Sequence, residues 1–304
     1  MSGADYRQGQ QPFSGLVRPA GNVLLLHEEW ESGKNPPAFT GFQQMPDRWL
    51  EWTPGTANPT LAVVDAMQQR AVLAASPPTN PAPGQGYQWS GRLLRLPPPA
   101  QLPWDIVDPE TGEADLLLQA YSYLGCGPGL LQNMDNAEAQ NDAALIVSGA
   151  DLIVAPDNEF WSLGFRQRTG SGIESWQSQV LLGQWLDSQA LFGGVEIPMP
   201  GNTGFLVQLT MLIEREPAGP GFTYETEIVG QVSTDGGRSW LTVGDGELKS
   251  ANPPALIGFG VSGFLPAANP DTSGCGSFDF LRVYKVPADE VNFIFGPDGG
   301  RNWP

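Results

Sequence analysis

The sequence predicts an all-β protein built as an antiparallel sandwich, and two observations carry that prediction. Turn-forming residues are dense, with 38 glycines and 29 prolines among 304 residues. They separate short apolar runs, which suits strands that stop after a few residues better than helices that need longer uninterrupted segments. The second observation is alternation. Phe205, Val207, Leu209, Met211 and Ile213 share one face of an extended segment, with Gln208, Thr210 and Glu214 on the other. Tyr224, Thr226, Ile228 and Val232 repeat the pattern against Glu225, Glu227 and Gln231. Such alternation predicts a sheet with one face in the core and the other near solvent. Ten tryptophans and fourteen phenylalanines supply the apolar surface for that core.

In chain order, residues 1–21 read as a polar N-terminal arm, and Val23–Trp30 (VLLLHEEW) as the first strand. Leu61–Leu73, with a turn inside it, and Gly91–Leu96 follow as strands. Ser76–Gly86 is a proline- and glycine-rich loop, and the run Pro97–Pro103 leads to Trp104. Residues 132–144 (QNMDNAEAQNDAA) read as a polar loop, the one place where a short helix fits. The strand-and-turn style continues to residue 287, so one domain is expected over 22–287, with a C-terminal arm at 288–304. Cys126 and Cys275 each stand between glycines and are expected in turns, as free thiols or as a single bridge between neighbouring turns.

The formal charge of −18 repels nucleic-acid backbones and anionic membranes, so neither is an expected partner. No stretch reaches the roughly 18 apolar residues of a membrane span. The first residues lack the apolar run of a signal peptide, which predicts a chain made and kept in the cytoplasm unless it leaves by lysis or a dedicated apparatus, as a virion component assembled there would.

Three pieces of the sequence carry a family resemblance. His27-Glu28-Glu29-Trp30-Glu31-Ser32-Gly33 looks like an "E-x-F-E-x-G" opening, followed by Trp49, Trp52 and the strand Leu61–Val64. Glu159-Phe160-Trp161 is similar to an "E-F-W" strand, and Gly276–Tyr284 (GSFDFLRVY) to a closing "F-D-x-x-R-V-Y" strand. Together they resemble the concanavalin A-like lectin and glucanase superfamily, with its laminin-G-like members. The resemblance implies a jelly-roll β-sandwich whose first and last strands pair. It also implies a structural Ca2+ clipped between Glu31 and Asp279, with Glu29 a weaker ligand; no other cofactor is required.

Ser233-Thr234-Asp235-Gly236-Gly237-Arg238-Ser239-Trp240 matches the Asp-box pattern S-x-D-x-G-x-[ST]-W. Asp235 and Gly237 are expected to form a tight structural hairpin, with Trp240 anchoring the returning strand in the core. Sialidase-like enzymes carry several such boxes and an arginine cluster; this chain has one box.

Catalytic constellations are poorly supplied. His27 is the only histidine and adjoins no serine motif. Glu225 and Glu227 share a strand face, about 7 Å apart by strand rise, and Glu214 with Glu216 forms a similar pair; a solvated face accounts for both. The chain is therefore expected not to be an enzyme. Trp89, Trp104 and Trp176 stand among Gln, Ser and Asp in the manner of a glycan platform. Phe293, Phe295 and Trp303 follow the closing strand as expected assembly contacts. The first expectation is a non-enzymatic structural protein of a virus particle, a bacteriophage capsid decoration protein or a tail or fibre component. Its partners would be other virion proteins, further copies of itself and a cell-surface glycan. The alternative is a carbohydrate-binding module or lectin, and the third reading is a glycosidase or polysaccharide lyase.

Overall fold

The computed structural model describes residues 23–29, 42–44, 49–52, 60–65, 70–75, 89–104, 110–126, 139–149, 152–153, 159–169, 177–186, 189–193, 197–199, 204–248, 252–264 and 274–287. Seventeen strands run through them: β1 (Val23–Glu29), β2 (Phe42–Gln44), β3 (Leu50–Trp52), β4 (Thr60–Asp65), β5 (Arg70–Ala75), β6 (Ser90–Arg95), β7 (Ala114–Cys126), β8 (Ala139–Ser148) and β9 (Phe160–Thr169). They continue as β10 (Gln177–Leu186), β11 (Gln189–Gly193), β12 (Ile197–Met199), β13 (Phe205–Ala218), β14 (Gly221–Ser233), β15 (Leu241–Leu248), β16 (Leu256–Phe264) and β17 (Gly274–Val286). The other regular element among the described residues is a 3-10 turn at Pro99–Gln101.

The strands form two antiparallel sheets. A nine-stranded sheet has the order β15-β14-β13-β7-β17-β5-β4-β2, with β1 also on β17; an eight-stranded sheet has the order β11-β10-β9-β8-β16-β6-β3, with β12 on β10. The first and last described strands pair, from Val23 opposite Lys285 to Glu29 opposite Phe280. The predicted strands at 61–73 are β4 and β5, which pair with each other, and Gly91–Leu96 falls on β6.

The alternation read in β13 points Phe205, Val207, Leu209, Met211 and Ile213 into the space between the sheets, against residues such as Leu145, Leu163 and Ile257. Burying each such side chain contributes about 1.5–3 kcal/mol. Phe259 of one sheet stacks on Phe278 of the other, with ring centroids 4.2 Å apart, and Trp49 stacks on Phe259 at 5.5 Å.

Three expectations are corrected. Residues 139–144 are not loop or helix but the start of β8, held by ladders to β9 and β16 on both sides. Two neighbouring strands supply its backbone partners and override a polar local sequence. Cys126 and Cys275 lie in strands, not turns, with Gly276 of β17 opposite Cys126 of β7. Gln208 and Thr210 do lie opposite the core face, yet both are buried.

Candidate functional site

The outer face of the eight-stranded sheet carries the most concentrated chemistry. Alternation fixes its occupants, because Val261, Phe259, Leu145, Leu163 and Phe165 point inward. Their neighbours Ser262, Gly260, Ala144, Asp142, Ser162, Gly164 and Arg166 therefore face outward. In register, Ser262 is opposite Asp142, and Asp142 is opposite Arg166. The next rung outward is Gly260, Ala144, Gly164 and Leu181.

Two glycines clear the space for aromatic rings on this face. A Cβ on Gly260 would stand 3.1 Å from Cε3 of Trp89, and one on Gly183 would stand 2.9 Å from Nε1 of Trp185. Trp89 and Trp185 meet edge to face, centroids 5.3 Å apart and planes at 68°. Phe160 packs against both, and Trp52 against Phe160. The indole N–H of Trp185 donates to Oγ of Ser162 at 2.7 Å.

Between these rings and the polar rung lies a shallow, half-open depression, lined by Trp89, Trp185, Asp142, Arg166, Ser162 and Leu181 among others, with room for about one water-sized group. Nε of Arg166 donates to Oδ1 of Asp142 at 2.9 Å, with Asp142 3% and Arg166 13% exposed. The guanidinium stands 6.0 Å over the Trp185 ring. Nε1 of Trp89, in the wall of the depression, and Oγ of Ser262, opposite Asp142 in register but not among the lining residues, have no hydrogen-bond partner among the described residues, and both atoms are closed to solvent.

The three expected glycan-platform tryptophans separate. Trp89 lines the depression, but its ring is buried, so it is a wall and not an exposed stacking surface. Trp104 is half-buried elsewhere, stacked on Tyr224 and covered by Arg215, with its N–H donating to the carbonyl of Pro99 at 2.8 Å. Trp176 lies outside the described residues, as do Glu31, Phe293, Phe295, Trp303 and both arms. Asp279, weighed as a solvent-facing residue on an edge strand or a Ca2+ ligand, is 5% exposed on β17, an interior strand. Among the described residues no group of three or more Asp, Glu, His or Cys is placed to hold a metal ion.

The outer face of the nine-stranded sheet is different in kind. A hydrogen-bonded ladder crosses four strands: Tyr121 to Gln119, Gln119 and Gln208 to Thr210, Gln208 to Gln231, and Gln231 to Thr242, at 2.7–3.4 Å. These groups satisfy one another, which is why Gln208 and Thr210 are buried at little cost. One end of this face is acidic. Asp115, Glu214 and Glu225 stand directly opposite one another in register. Burial, then the charges of Asp115, Glu225 and Glu216, push the Glu214 carboxyl above its ordinary value. Glu214, Glu216 and Glu225 of the expected intrastrand pairs thus repel one another, whereas Glu227 stands opposite Leu212 and Glu247.

At the β14–β15 hairpin, Asp235 accepts from the Ser239 hydroxyl at 2.6 Å, from the Ser233 hydroxyl at 2.8 Å, and from the amides of Arg238 and Ser239, each at 3.0 Å. These bonds, the Ser239 hydroxyl first, hold its carboxyl well below the usual range. Gly236 and Gly237 take φ of 81° and 84°, which side-chain-bearing residues rarely adopt. Trp240 is not in the inter-sheet core. It is half-buried with Leu206, Phe280, Tyr121 and Tyr123 on the outer face, because it precedes the first residue of β15 beyond the edge of the core.

No family model and no curated protein sequence matches the chain. Among solved structures, a protein of unknown function from Shewanella oneidensis MR-1 is similar over 94% of this chain and 94% of its own, at 11% identity and a TM-score of 0.41. A Lotus tetragonolobus seed lectin is similar over 87% of this chain and 100% of its own, at 11% identity and a TM-score of 0.40. A GH43 protein from Bacillus licheniformis is similar over 75% of this chain and 63% of its own, at 9% identity and a TM-score of 0.31. None of the site residues above is carried over from these proteins.

Proposed function

We propose that this is a non-enzymatic saccharide-binding protein whose site is the depression beside Trp89 on the eight-stranded sheet. The observation that carries this reading is the depression itself, where the indole walls Trp89 and Trp185 stand beside the Ser162 hydroxyl and the Asp142–Arg166 pair. A sugar offers apolar C–H groups to aromatic walls and hydroxyls that both donate and accept, which matches indoles beside a hydroxyl and a carboxylate.

Hydrolysis needs two carboxylates flanking the glycosidic bond. Among the described lining residues Asp142 is the one carboxylate, and it is bound to Arg166. Binding without turnover is therefore the reading supported. The role in a virus particle expected from sequence rests on the acidic, leaderless sandwich and on terminal arms that lie outside the described residues, and the saccharide reading takes precedence over it.

A glycan array combined with a reducing-sugar assay tests the proposal. Retention of neutral glycans with no release of reducing ends is expected. Release that is abolished by Asp142→Asn would make the protein an enzyme, and no retention of any glycan would end the saccharide reading.

A further inference from the structure

We infer that the outer face of the nine-stranded sheet is the seat of the chain's own C-terminal residues 288–304, which pack on it as a third layer. Alternation and register identify the face. Leu116, Leu118, Met211, Ile213 and Ile228 belong to the inter-sheet core, so their neighbours Leu117, Leu212 and Val229 point the other way. Leu117 is opposite Leu212 on one side and Val286 on the other. These four residues form an apolar cluster of their own, separate from the inter-sheet core.

A side chain on an open sheet face keeps its tip in water, because neighbours about 5 Å away shield only its flanks. Leu24, opposite Tyr284 at the rim of this face, is 38% exposed. Leu117 and Val286 are 0% exposed, Val229 1% and Leu212 4%. All seventeen described strands belong to the two sheets, so none of them is the cover. The burial is complete within one chain, which makes the cover part of that chain and not a partner.

Connectivity selects the occupant. β17 ends at Val286, inside the cluster, and Pro287 has no N–H with which to continue the ladder. The chain therefore leaves the sheet beside the face to be covered. Beyond it, Val291, Phe293 and Phe295 alternate with Asn292 and Ile294, so an extended segment carries three large apolar side chains on one side. From Val286 to Phe295 such a segment reaches roughly 30 Å, against roughly 14 Å across the strands from β17 to β14. Phe293 and Phe295, expected from sequence to contact other molecules, are on this reading committed to their own sheet.

Thermal melting and ANS fluorescence of the full chain and of a Phe293→Ala/Phe295→Ala variant test this. The variant should melt at least about 4 °C lower and bind ANS at least about threefold more strongly. Combined with Leu212→Ala, its loss of melting temperature should fall short of the sum of the separate losses; combined with Ile257→Val in the inter-sheet core, the losses should add. Phe293→Leu/Phe295→Leu, which keeps apolar side chains, carries the same cycle if the alanine variant does not fold. Losses that add with Leu212→Ala, or a variant that melts within about 1 °C of wild type, would overturn the inference. Deleting residues 1–21 should leave ANS binding unchanged; a rise there with none in the phenylalanine variant would give the face to the N-terminal segment instead. A wild-type melting temperature that climbs with protein concentration would give it to a second copy and equally overturn the inference.

Discussion

Replacing Ser162 and Ser262 by alanine, one at a time, makes the same chemical change at two buried positions of one sheet face, and the structure predicts different outcomes. Ser162 Oγ accepts the indole N–H of Trp185 at 2.7 Å, and Trp185 is 1% exposed. Alanine at 162 leaves that donor buried without this acceptor, at a cost of about 1–3 kcal/mol. For a chain of this size that lowers the melting temperature by about 2–12 °C. Ser262 Oγ is equally buried but has no partner among the described residues. Its removal takes a desolvated hydroxyl out of the fold and breaks no bond, so the change should lie within about 0.5 kcal/mol of zero or be stabilising. Calorimetric melting of both variants in sugar-free buffer measures the contrast. If Ser262→Ala falls as far as Ser162→Ala, the Ser262 hydroxyl is already satisfied and the hydrogen-bond assignment on this face fails.

Other consequences can be checked with the same protein. Asp235→Ala should accelerate hydrogen exchange at the Arg238 and Ser239 amides, which both bond to that carboxylate. Because its folded pKa is lowered, the stabilisation is present above the unfolded carboxylate value of about 3.9 and is lost as pH falls below it, so wild-type protection of these amides should drop in strong acid. Glu214 is the reverse case. A raised folded pKa means the native state holds the proton more tightly, so stability falls as pH rises from the unfolded value through the folded one. Glu214→Gln should therefore melt above wild type at pH 7, with the gap closing near pH 4; an equal gap at both pH values would contradict the electrostatic account. Arg215 stands 4.9 Å over Trp104 and 4.6 Å over Phe222. Arg215→Ala should cost about 1–2 kcal/mol in urea unfolding and shift tryptophan emission to the red.

The strand pattern was legible because it is local. Period-two alternation in β13 and β14 and turn residues between apolar runs specify strands without reference to the rest of the chain, and the opening and closing segments identified the β1–β17 pair. The site was much less legible. Trp89 was visible as an aromatic among polar residues, but Asp142, Ser162, Arg166, Trp185 and Ser262 come from four strands, and only the register between those strands brings them together. Asp142 sits in a segment whose polar sequence reads as a loop, because nothing local announces that β9 and β16 will flank it. Gln208 and Thr210 look solvent-facing for a related reason: their hydrogen-bond partners, Gln119 and Gln231, lie on other strands. The hairpin at Asp235 is the opposite case, since all its bonds span four residues or fewer.

The most direct test of the account is the indole N–H resonance of Trp89 in a 15N-correlated NMR titration with methyl hexopyranosides, assigned by its loss in Trp89→Phe. Trp89 lines the depression, so a sugar bound there should shift this resonance in a saturable manner while the Trp104 indole, bonded to Pro99, stays still. A sugar that binds by calorimetry while the Trp89 resonance does not move would contradict the assignment of the site.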